Sequence, residues 1–209
     1  MLRLYLADIS NLNTEQDMSL FSEYRIHKTE RIKSAQKRKQ SIGAELLLMH
    51  AVKQAMPNVC LPFSIICGEK GKPEFDDIPL YFSLSHSGNY AACALSDMAI
   101  GLDIEFRPEY NKKIAQRYFL QHEQDWLKGA ENKNSVFAKI WTAKESALKI
   151  MGTGLSKGLL SVAVCEDSVI TQPEGNRYNV RWYEMDGLCV ALCAESIPES
   201  IHIEKLELV

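Results

Sequence analysis

The sequence predicts an α+β fold, and three observations support this. Segments such as "LRLYLADI" alternate apolar and polar residues as strands do. Segments such as "SVFAKIWTAKESALKIMG" repeat apolar residues with the period of a helix. In each half of the chain a strongly apolar helical stretch is followed by strand-like segments, so the halves resemble each other loosely. This similarity is compatible with an old duplication, which the residues alone do not establish.

Composition places the chain among ordinary soluble proteins. Its 209 residues are 46% hydrophobic and 24% charged, and the net charge of −3 argues against a broad non-specific surface for nucleic acid. No apolar run approaches the roughly 18 residues of a membrane span, and the start lacks a signal-peptide core. None of the six cysteines forms a C-x-x-C pair, so we expect reduced thiols and a cytoplasmic protein.

The first predicted half covers residues 1–98. "LRLYLADI" predicts a first strand, and "NTEQDMSLFSEY" predicts a helix capped by Asn13 or Thr14. The basic segment "HKTERIKSAQKRKQ" leads into a long helix, "SIGAELLLMHAVKQAM", that stops before Pro57. "PFSIICGEKGKPEF" predicts a strand and a turn, and "LYFSLSHSGNYAACALS" predicts two strands that reverse near Gly88 and Asn89.

The second predicted half covers residues 99–209. "AIGLDIEFRP" predicts a strand ended by Pro108. "NKKIAQRYFLQHEQDWLKG" predicts one helix that stops near Gly129, and "SVFAKIWTAKESALKIMG" predicts a second that ends at Gly152. The remainder predicts short strands, among them "YNVRWYEM", "LCVALCAES" and "IHIEKLEL".

The strand that begins the second half carries two carboxylates on one face. Because side chains alternate in a strand, Gly101, Asp103 and Glu105 share a face, and the two like charges repel each other. A solvated sheet face without function would tolerate them. A hard cation such as Mg²⁺ would instead turn the repulsion into shared coordination by oxygen ligands. Glu145 is the candidate for a third carboxylate.

The last predicted helix contains a lysine in an unusual place. At about 100° per residue, Lys144 projects into the apolar arc near Phe137 and Met151. Its ammonium must either reach out to solvent or meet an anion. The neighbouring Glu145 and Lys149 are four positions apart, the spacing of an ordinary surface ion pair.

Three segments of the first half could contact phosphate. "LSHSG" offers Ser85 and His86 at a turn, and "GEKGKPEF" offers Lys70 and Lys72 beside glycines. "RIKSAQKRKQ" is basic. Each also fits a plain alternative, which is a polar turn or a solvated helix face.

Two motifs in combination carry a family resemblance. "IGLDIE" at 100–105 and "WTAKESALK" at 141–149 place Asp103 and Glu145 42 positions apart, with "GKP" and "SLSHSG" upstream in the same order. The set resembles the Sfp-type 4′-phosphopantetheinyl transferases, from about Lys39 to Lys149. Only Leu102 departs from the family pattern, which usually has Ile or Val there.

The resemblance implies a fold and a reaction. The fold is two similar α/β halves that form a pseudo-dimer with the active site at their interface. The reaction is the Mg²⁺-dependent transfer of 4′-phosphopantetheine from coenzyme A to a serine of an acyl or peptidyl carrier protein, releasing adenosine 3′,5′-bisphosphate. This is the activity of a holo-[acyl-carrier-protein] synthase. Sfp-type enzymes are usually monomers, so the resemblance also implies a monomer.

The resemblance also assigns roles to residues. The metal ligands would be Asp103, Glu105 and Glu145. The chemistry of the reaction adds two catalytic roles as hypotheses: Glu145 would be the base for the serine hydroxyl, directly or through a Mg²⁺-bound water, and Lys149 would stabilise the transition state together with Mg²⁺. The residues that face coenzyme A would be Arg38, Lys39, Lys72, Ser85, His86, Lys144 and Lys149. Of these, Ser85 and His86 would contact phosphate, and Lys144 and Lys149 would face the diphosphate.

A docking surface for the carrier protein is expected on "NKKIAQRYFLQHEQDWL". Its candidate apolar contacts are Tyr118, Phe119 and Trp126, although the same rings fit a core equally well. Its candidate basic contacts are Lys112, Lys113 and Arg117, which would complement an acidic carrier domain.

Two other functions compete. A two-metal 3′–5′ exonuclease also has Asp-x-Glu on a strand, but its motif usually continues with Thr-Gly, whereas Phe106 and Arg107 follow here. A non-catalytic domain that binds coenzyme A or carrier proteins would not need three carboxylates and the lysines together.

Overall fold

A computed structural model of the chain describes residues 1–15, 17–68, 71–152, 158–166, 168–171 and 175–208. The chain divides into two compact units. The first unit is Met1–Met98 together with Glu199–Val209, and the second is Ala99–Pro198. The sequence assigned residues 199–209 to the second half, whereas the structure assigns them to the first unit.

Helices and strands both contribute, which confirms the α+β prediction. The helices are α1 (Glu23–Glu30), α2 (Ala35–Ala55), α3 (Lys112–Tyr118), α4 (Gln121–Gly129) and α5 (Lys133–Met151). The strands are β1 (Leu2–Asp8), β2 (Ile65–Cys67), β3 (Pro73–Phe75), β4 (Tyr81–Ser87), β5 (Tyr90–Ser96), β6 (Ile100–Phe106), β7 (Val162–Val164), β8 (Ser168–Thr171), β9 (Arg177–Met185), β10 (Leu188–Ala194) and β11 (His202–Glu207). No described helix is long and apolar enough to cross a membrane.

The first unit is built on a four-stranded sheet in the order β11-β1-β5-β4. The β4–β5 hairpin and the β1–β5 pair are antiparallel, whereas β11 lies parallel to β1. The apolar face of α2 covers this sheet, and Leu47, Leu48 and Val52 pack into one core with Tyr5 and Phe82. Burial of this apolar stripe stabilises the helix on the sheet.

A buried ion pair attaches α1 to α2. The Nε of Arg25 donates to Glu45 at 3.0 Å, and the backbone N–H and the hydroxyl of Ser22 donate to the other carboxylate oxygen. Both Arg25 and Glu45 are buried. Three donors therefore satisfy this carboxylate inside the unit.

The second unit is an antiparallel five-stranded sheet in the order β6-β10-β9-β8-β7. One face is covered by α5, whose Ile140, Ala143 and Leu148 share a core with Ala191 and Cys193 of β10. Gly152, with φ 70°, ends α5 in the left-handed conformation, as its position at the end of the pattern predicted.

The first half departs from the sequence prediction between the first strand and the long helix. Among the described residues of "NTEQDMSLFS", a short 3₁₀ turn forms at Met18–Leu20, where Asp17 accepts from the N–H of Ser19 and caps that turn. The helix begins later, at Glu23, behind the Ser22 cap. The long helix α2 starts earlier than predicted, since Ser34 caps it.

The predicted helix at 111–129 is two helices. The chain is extended at Phe119, where the ring enters the core and stacks on Phe137 at 5.4 Å. The carboxylate of Glu123 then accepts from the N–H of Leu120 and starts α4. The burial of the Phe119 ring is therefore associated with an interruption of the helix between α3 and α4.

Candidate active site

Gly101 sets how closely α5 approaches β6. A Cβ added to this residue would overlap the backbone carbonyl oxygen of Ser146 in α5. Because backbone of a packed helix cannot move away as a side chain can, only glycine allows this approach. The face that holds Gly101, Asp103 and Glu105 is therefore covered by α5 rather than by solvent.

Asp103 is buried next to a cation from the helix. Asp103 is 6% exposed, and its Oδ1 accepts a hydrogen bond from Nζ of Lys149 at 2.7 Å. Lys149 also donates to the backbone carbonyl of Leu102 at 2.8 Å. A solvated carboxylate without partners, the alternative that the sequence left open, is excluded for this residue.

Glu105 meets a different residue of the same helix. Its Oε1 accepts from the indole Nε1 of Trp141 at 3.2 Å. Trp141, Glu145 and Lys149 follow one another at four-residue spacing along α5, so they form one stripe that faces the strand carboxylates. The sequence did not reveal that Trp141 binds Glu105, although the i, i+4 spacing to Glu145 was a usable signal.

Glu145 lies between these two contacts and has an altered acidity. Burial raises the pKa of its carboxyl group to about 7, and the charge of Asp103 adds to this rise. The ammonium of Lys149 acts in the opposite direction, and Glu105 contributes a smaller increase. Within the described residues, the Glu145 carboxylate has no hydrogen-bond donor. A carboxyl group with a pKa near neutrality can both accept and release a proton.

The three carboxylates have the chemistry of a site for a hard divalent cation, since all their donor atoms are oxygens. In the described part of the chain, however, no group of three His, Cys, Asp or Glu side chains lies in a metal-binding arrangement. The oxygen of Asp103 is directed at Lys149 and that of Glu105 at Trp141. The donor set fits Mg²⁺ by its chemistry, although the described side chains are not arranged around a common ion.

The position of Lys144 corrects an expectation from the sequence. Its side chain is 0% exposed, and its Nζ lies 2.9 Å from Oε2 of Glu123. The same ammonium donates to the backbone carbonyls of Leu159 and Val162. It therefore does not face a diphosphate, because its donors are used inside the second unit. The position of Lys144 in the apolar arc was compatible with a buried anionic partner, but the sequence did not show that this partner is Glu123.

The predicted phosphate-binding turn lies at the end of the β4–β5 hairpin. Ser85 is buried and His86 is exposed, and both are on β4. The side chains of Gln36 and Gln40 both donate to the carbonyl of Gly88 at 2.9 Å, so the start of α2 holds this turn in place. The sequence had not assigned a role to either glutamine.

The other basic residues of the first unit occupy separate places. Lys72 precedes β3, and burial lowers its pKa, although Glu74 acts in the opposite direction. Arg38 donates to the carbonyl of Ile32 at 3.1 Å, and Lys39 donates to that of Ser10 at 2.8 Å. Lys70 lies outside the described residues.

The expected docking helix is divided between core and surface. Phe119 is 2% exposed and belongs to the core, so it cannot contact a partner. Tyr118 and Trp126 are partly buried against the same core. The basic residues of α3 are exposed, and they are Lys112, Lys113 and Arg117.

Comparison with known proteins defines the class. The family model of the 4′-phosphopantetheinyl transferase superfamily matches residues 99–193, which contain all of β6 and α5. These are the elements that bring Asp103, Glu105, Glu145 and Lys149 together.

Curated relatives identify the branch. The 4′-phosphopantetheinyl transferase gsp of Aneurinibacillus migulanus is 37% identical over 120 residues, 56% of this chain and 49% of that protein. The transferase Sfp of Bacillus subtilis (strain 168) is 33% identical over 150 residues, 66% of this chain and 67% of that protein. The transferase ffp of Bacillus subtilis is 28% identical over 204 residues, 92% of this chain and 91% of that protein.

These similarities confirm the predicted resemblance. The chain belongs to the Sfp-type 4′-phosphopantetheinyl transferase family. The chain spans about half the length of gsp and about two thirds of the length of Sfp.

Proposed function

We propose that this chain transfers 4′-phosphopantetheine from coenzyme A to a serine hydroxyl of an acyl or peptidyl carrier protein, with Mg²⁺, as a holo-[acyl-carrier-protein] synthase does. The observation that carries the proposal is the environment of Glu145. Its carboxyl group lies among Asp103, Glu105 and Lys149, and burial raises its pKa to about 7 in the absence of metal. A site with three carboxylates and a lysine on one helix and one strand suits phosphoryl transfer, because such groups can hold a divalent cation and phosphate.

The serine Oγ attacks the phosphorus that bears the pantetheine arm, and a new O–P bond forms. The bond from that phosphorus to the bridging oxygen breaks, and adenosine 3′,5′-bisphosphate leaves with the electron pair. Glu145 accepts the serine proton, directly or through a water. The ammonium of Lys149 would stabilise the charge that develops on the phosphate oxygens.

Asp103, Glu105 and Glu145 would hold Mg²⁺. When bound, the ion would supply electrostatic stabilisation of the diphosphate oxygens. Asp103 is now paired with Lys149 at 2.7 Å, so binding of a cation would compete with this pair. Release of Lys149 from Asp103 would then leave its ammonium free for phosphate.

The first unit supplies the proposed contacts to the rest of coenzyme A. Ser85 and His86 would bind phosphate at the hairpin that Gln36 and Gln40 support. Lys72, Arg38 and Lys39 would contact the adenosine end and its 3′-phosphate, although Arg38 and Lys39 would first have to give up their contacts to backbone carbonyls.

The carrier protein would dock on α3 through charge. Lys112, Lys113 and Arg117 are exposed there, and carrier domains are typically acidic helical bundles. Reversal of these three charges should raise the KM for the carrier protein and leave the KM for coenzyme A unchanged. Equal changes in both constants would refute this surface.

The decisive experiment is mass spectrometry of candidate carrier proteins incubated with the protein and coenzyme A. The expected result is a gain of one phosphopantetheine group on a serine, and this gain should disappear with EDTA and return with Mg²⁺. Binding of coenzyme A or carrier protein without transfer would favour the non-catalytic alternative. Degradation of single-stranded DNA would favour the exonuclease.

Two further properties belong to the proposal. We expect a monomer, which sedimentation of the purified protein measures directly. We also expect a cytoplasmic location, which fractionation of the source cells tests.

A further inference from the structure

A single carboxylate joins three elements of the second unit. Oε1 of Glu123 accepts from the backbone N–H of Val164 at 2.8 Å. Oε2 accepts from the N–H of Leu120 at 2.7 Å and lies 2.9 Å from Nζ of Lys144. Glu123 therefore connects the start of α4, the strand β7 and the middle of α5.

Lys144 extends this connection. Its ammonium donates to the carbonyl of Leu159, which begins the 3₁₀ turn before β7, and to the carbonyl of Val162 in β7 itself. Glu123 and Lys144 are both 0% exposed. The pair thus satisfies two backbone donors and two backbone acceptors.

The location of the pair relates it to the candidate active site. Lys144 immediately precedes Glu145 in α5, so the two side chains leave the helix about 100° apart. Any rotation of α5 about its axis that displaces Lys144 also turns Glu145. Trp141 and Lys149 hold α5 on the side that faces the strand, and Lys144 holds it on an adjacent side.

We propose that the Glu123–Lys144 pair positions Glu145, because it fixes the rotation of α5 relative to α4 and β7. Neither residue touches substrate or metal in this proposal, so both are positioning residues. The proposal rests on the proposed function, in which Glu145 is a metal ligand and base. It also gives Lys144 a role that differs from the contact with the diphosphate expected from the motif.

A purely stabilising role is the alternative, and it makes a different prediction. Buried ion pairs can often be replaced by apolar residues of similar size without loss of stability. If stability were the only role, E123Q/K144M would keep the properties of the active site as long as it folds. If the pair positions Glu145, this variant should fold, but the Glu145 carboxylate should be displaced from its place beside Asp103 and Glu105.

The chain offers a matched control. Arg25 and Glu45 form a buried ion pair at 3.0 Å within the first unit, far in sequence from the carboxylates. R25M/E45Q therefore removes the same chemistry without touching α5. The two double variants should have comparable effects on thermal unfolding, which separates general destabilisation from positioning.

The experiment measures Mn²⁺ binding by electron paramagnetic resonance, without substrate and at a fixed pH of 7.5. The proteins are the wild type, E145Q, E123Q/K144M and R25M/E45Q. We expect E123Q/K144M to weaken Mn²⁺ binding about 10-fold, the scale of effects for groups that orient metal ligands. The control R25M/E45Q should change the affinity by less than about 2-fold, since it leaves those ligands in place.

The outcomes separate the two proposals. A wild type that binds no Mn²⁺, or an E145Q variant that binds it equally well, would refute the metal site of the proposed function. A wild type that binds Mn²⁺ through Glu145, together with equal binding by E123Q/K144M, would refute only the positioning role. If E123Q/K144M does not fold, K144R takes its place, since it keeps the charge and alters the geometry. For K144R we expect a loss of about 3-fold, and an unchanged affinity would overturn the proposal.

Discussion

Each unit has a glutamate on the long helix that packs on its sheet, and the two side chains are in opposite situations. Glu45 of α2 is 0% exposed and accepts from Arg25 and from the N–H and hydroxyl of Ser22. Glu145 of α5 has acidic neighbours, and its pKa is raised to about 7. The first carboxylate is fully satisfied and structural. The second is held in an unfavourable charge environment, which is a common property of functional groups.

The buried ion pairs of the two units also have opposite polarity. In the first unit the long helix supplies the anion, Glu45, and the short helix before it supplies the cation, Arg25. In the second unit the long helix supplies the cation, Lys144, and the short helix supplies the anion, Glu123. A charged residue in a helix therefore says little about function until its partners are known.

The largest expected effect is on catalysis. E145Q should lower the rate of phosphopantetheine transfer about 10²- to 10⁴-fold, because it would remove the proposed acceptor of the serine proton. The measurement is a pH–rate profile by mass spectrometry of the carrier protein. A pH–rate profile of E145Q equal to that of the wild type in height and shape would show that Glu145 is not the base. Glu145 would then have no more role in catalysis than Glu45.

The equivalent change in the first unit should affect stability instead. E45Q leaves the guanidinium of Arg25 buried without its anion, and the free energy of unfolding should fall by about 3–5 kcal/mol. Urea denaturation followed by circular dichroism measures this. The transfer rate per folded molecule should be unchanged. A loss of rate that exceeds the loss of folded protein would contradict a purely structural Glu45.

A pair of glycine substitutions compares how the helices pack. G101A should destabilise the protein by about 1–3 kcal/mol or more, because the added methyl group meets the backbone of Ser146. G43A in α2 meets the Cγ2 of Ile9 at 2.7 Å, a side-chain atom that can shift. We expect a smaller loss for G43A, partly offset by about 1 kcal/mol of helix propensity. Equal melting temperatures for the two variants would refute the close approach at Gly101.

The smallest effect is a pH dependence of stability without metal. The pKa of Glu145 is about 7 in the folded chain and should be near 4.5 in the unfolded chain. Between these values the folded state binds more protons, so the contribution of Glu145 to stability falls as pH rises. E145Q should therefore be more stable than the wild type at pH 8, by about 1–2 kcal/mol after allowance for solvent exposure, and this advantage should vanish near pH 5. Urea denaturation measures the difference in the free energy of unfolding between E145Q and the wild type. An equal difference at pH 5 and at pH 8 would contradict the raised pKa of Glu145.

Local patterns in the sequence predicted much of the fold. The alternation in "LRLYLADI" and the periodicity of "SVFAKIWTAKESALKIMG" correspond to β1 and α5. The break between α3 and α4 was missed, because it depends on Phe119 entering a core that residues distant in sequence complete. The pairing of β11 with β1 was missed for a similar reason, since no local pattern encodes a parallel partner.

The candidate site was predictable in part. The face shared by Gly101, Asp103 and Glu105 followed from strand geometry, and the structure brings Glu145 and Lys149 to it. The partner of Lys144 was not predictable, because Glu123 lies on a separate helix and its burial depends on three-dimensional packing. Motif spacing thus predicted which residues lie close together on β6 and α5, whereas the contact of each side chain depends on the three-dimensional packing.

The parallel pairing of β11 with β1 has a consequence for how this chain matures on the ribosome. Arg3 of β1 pairs with His202 of β11, which is synthesised about 200 residues later. At 5–20 residues per second, β1 is therefore without this partner strand for roughly 10–40 seconds. During that interval the nascent first unit exposes one sheet edge to chaperones and to other chains. The second unit, continuous from Ala99 to Pro198, has no such dependence and can fold before the first is complete.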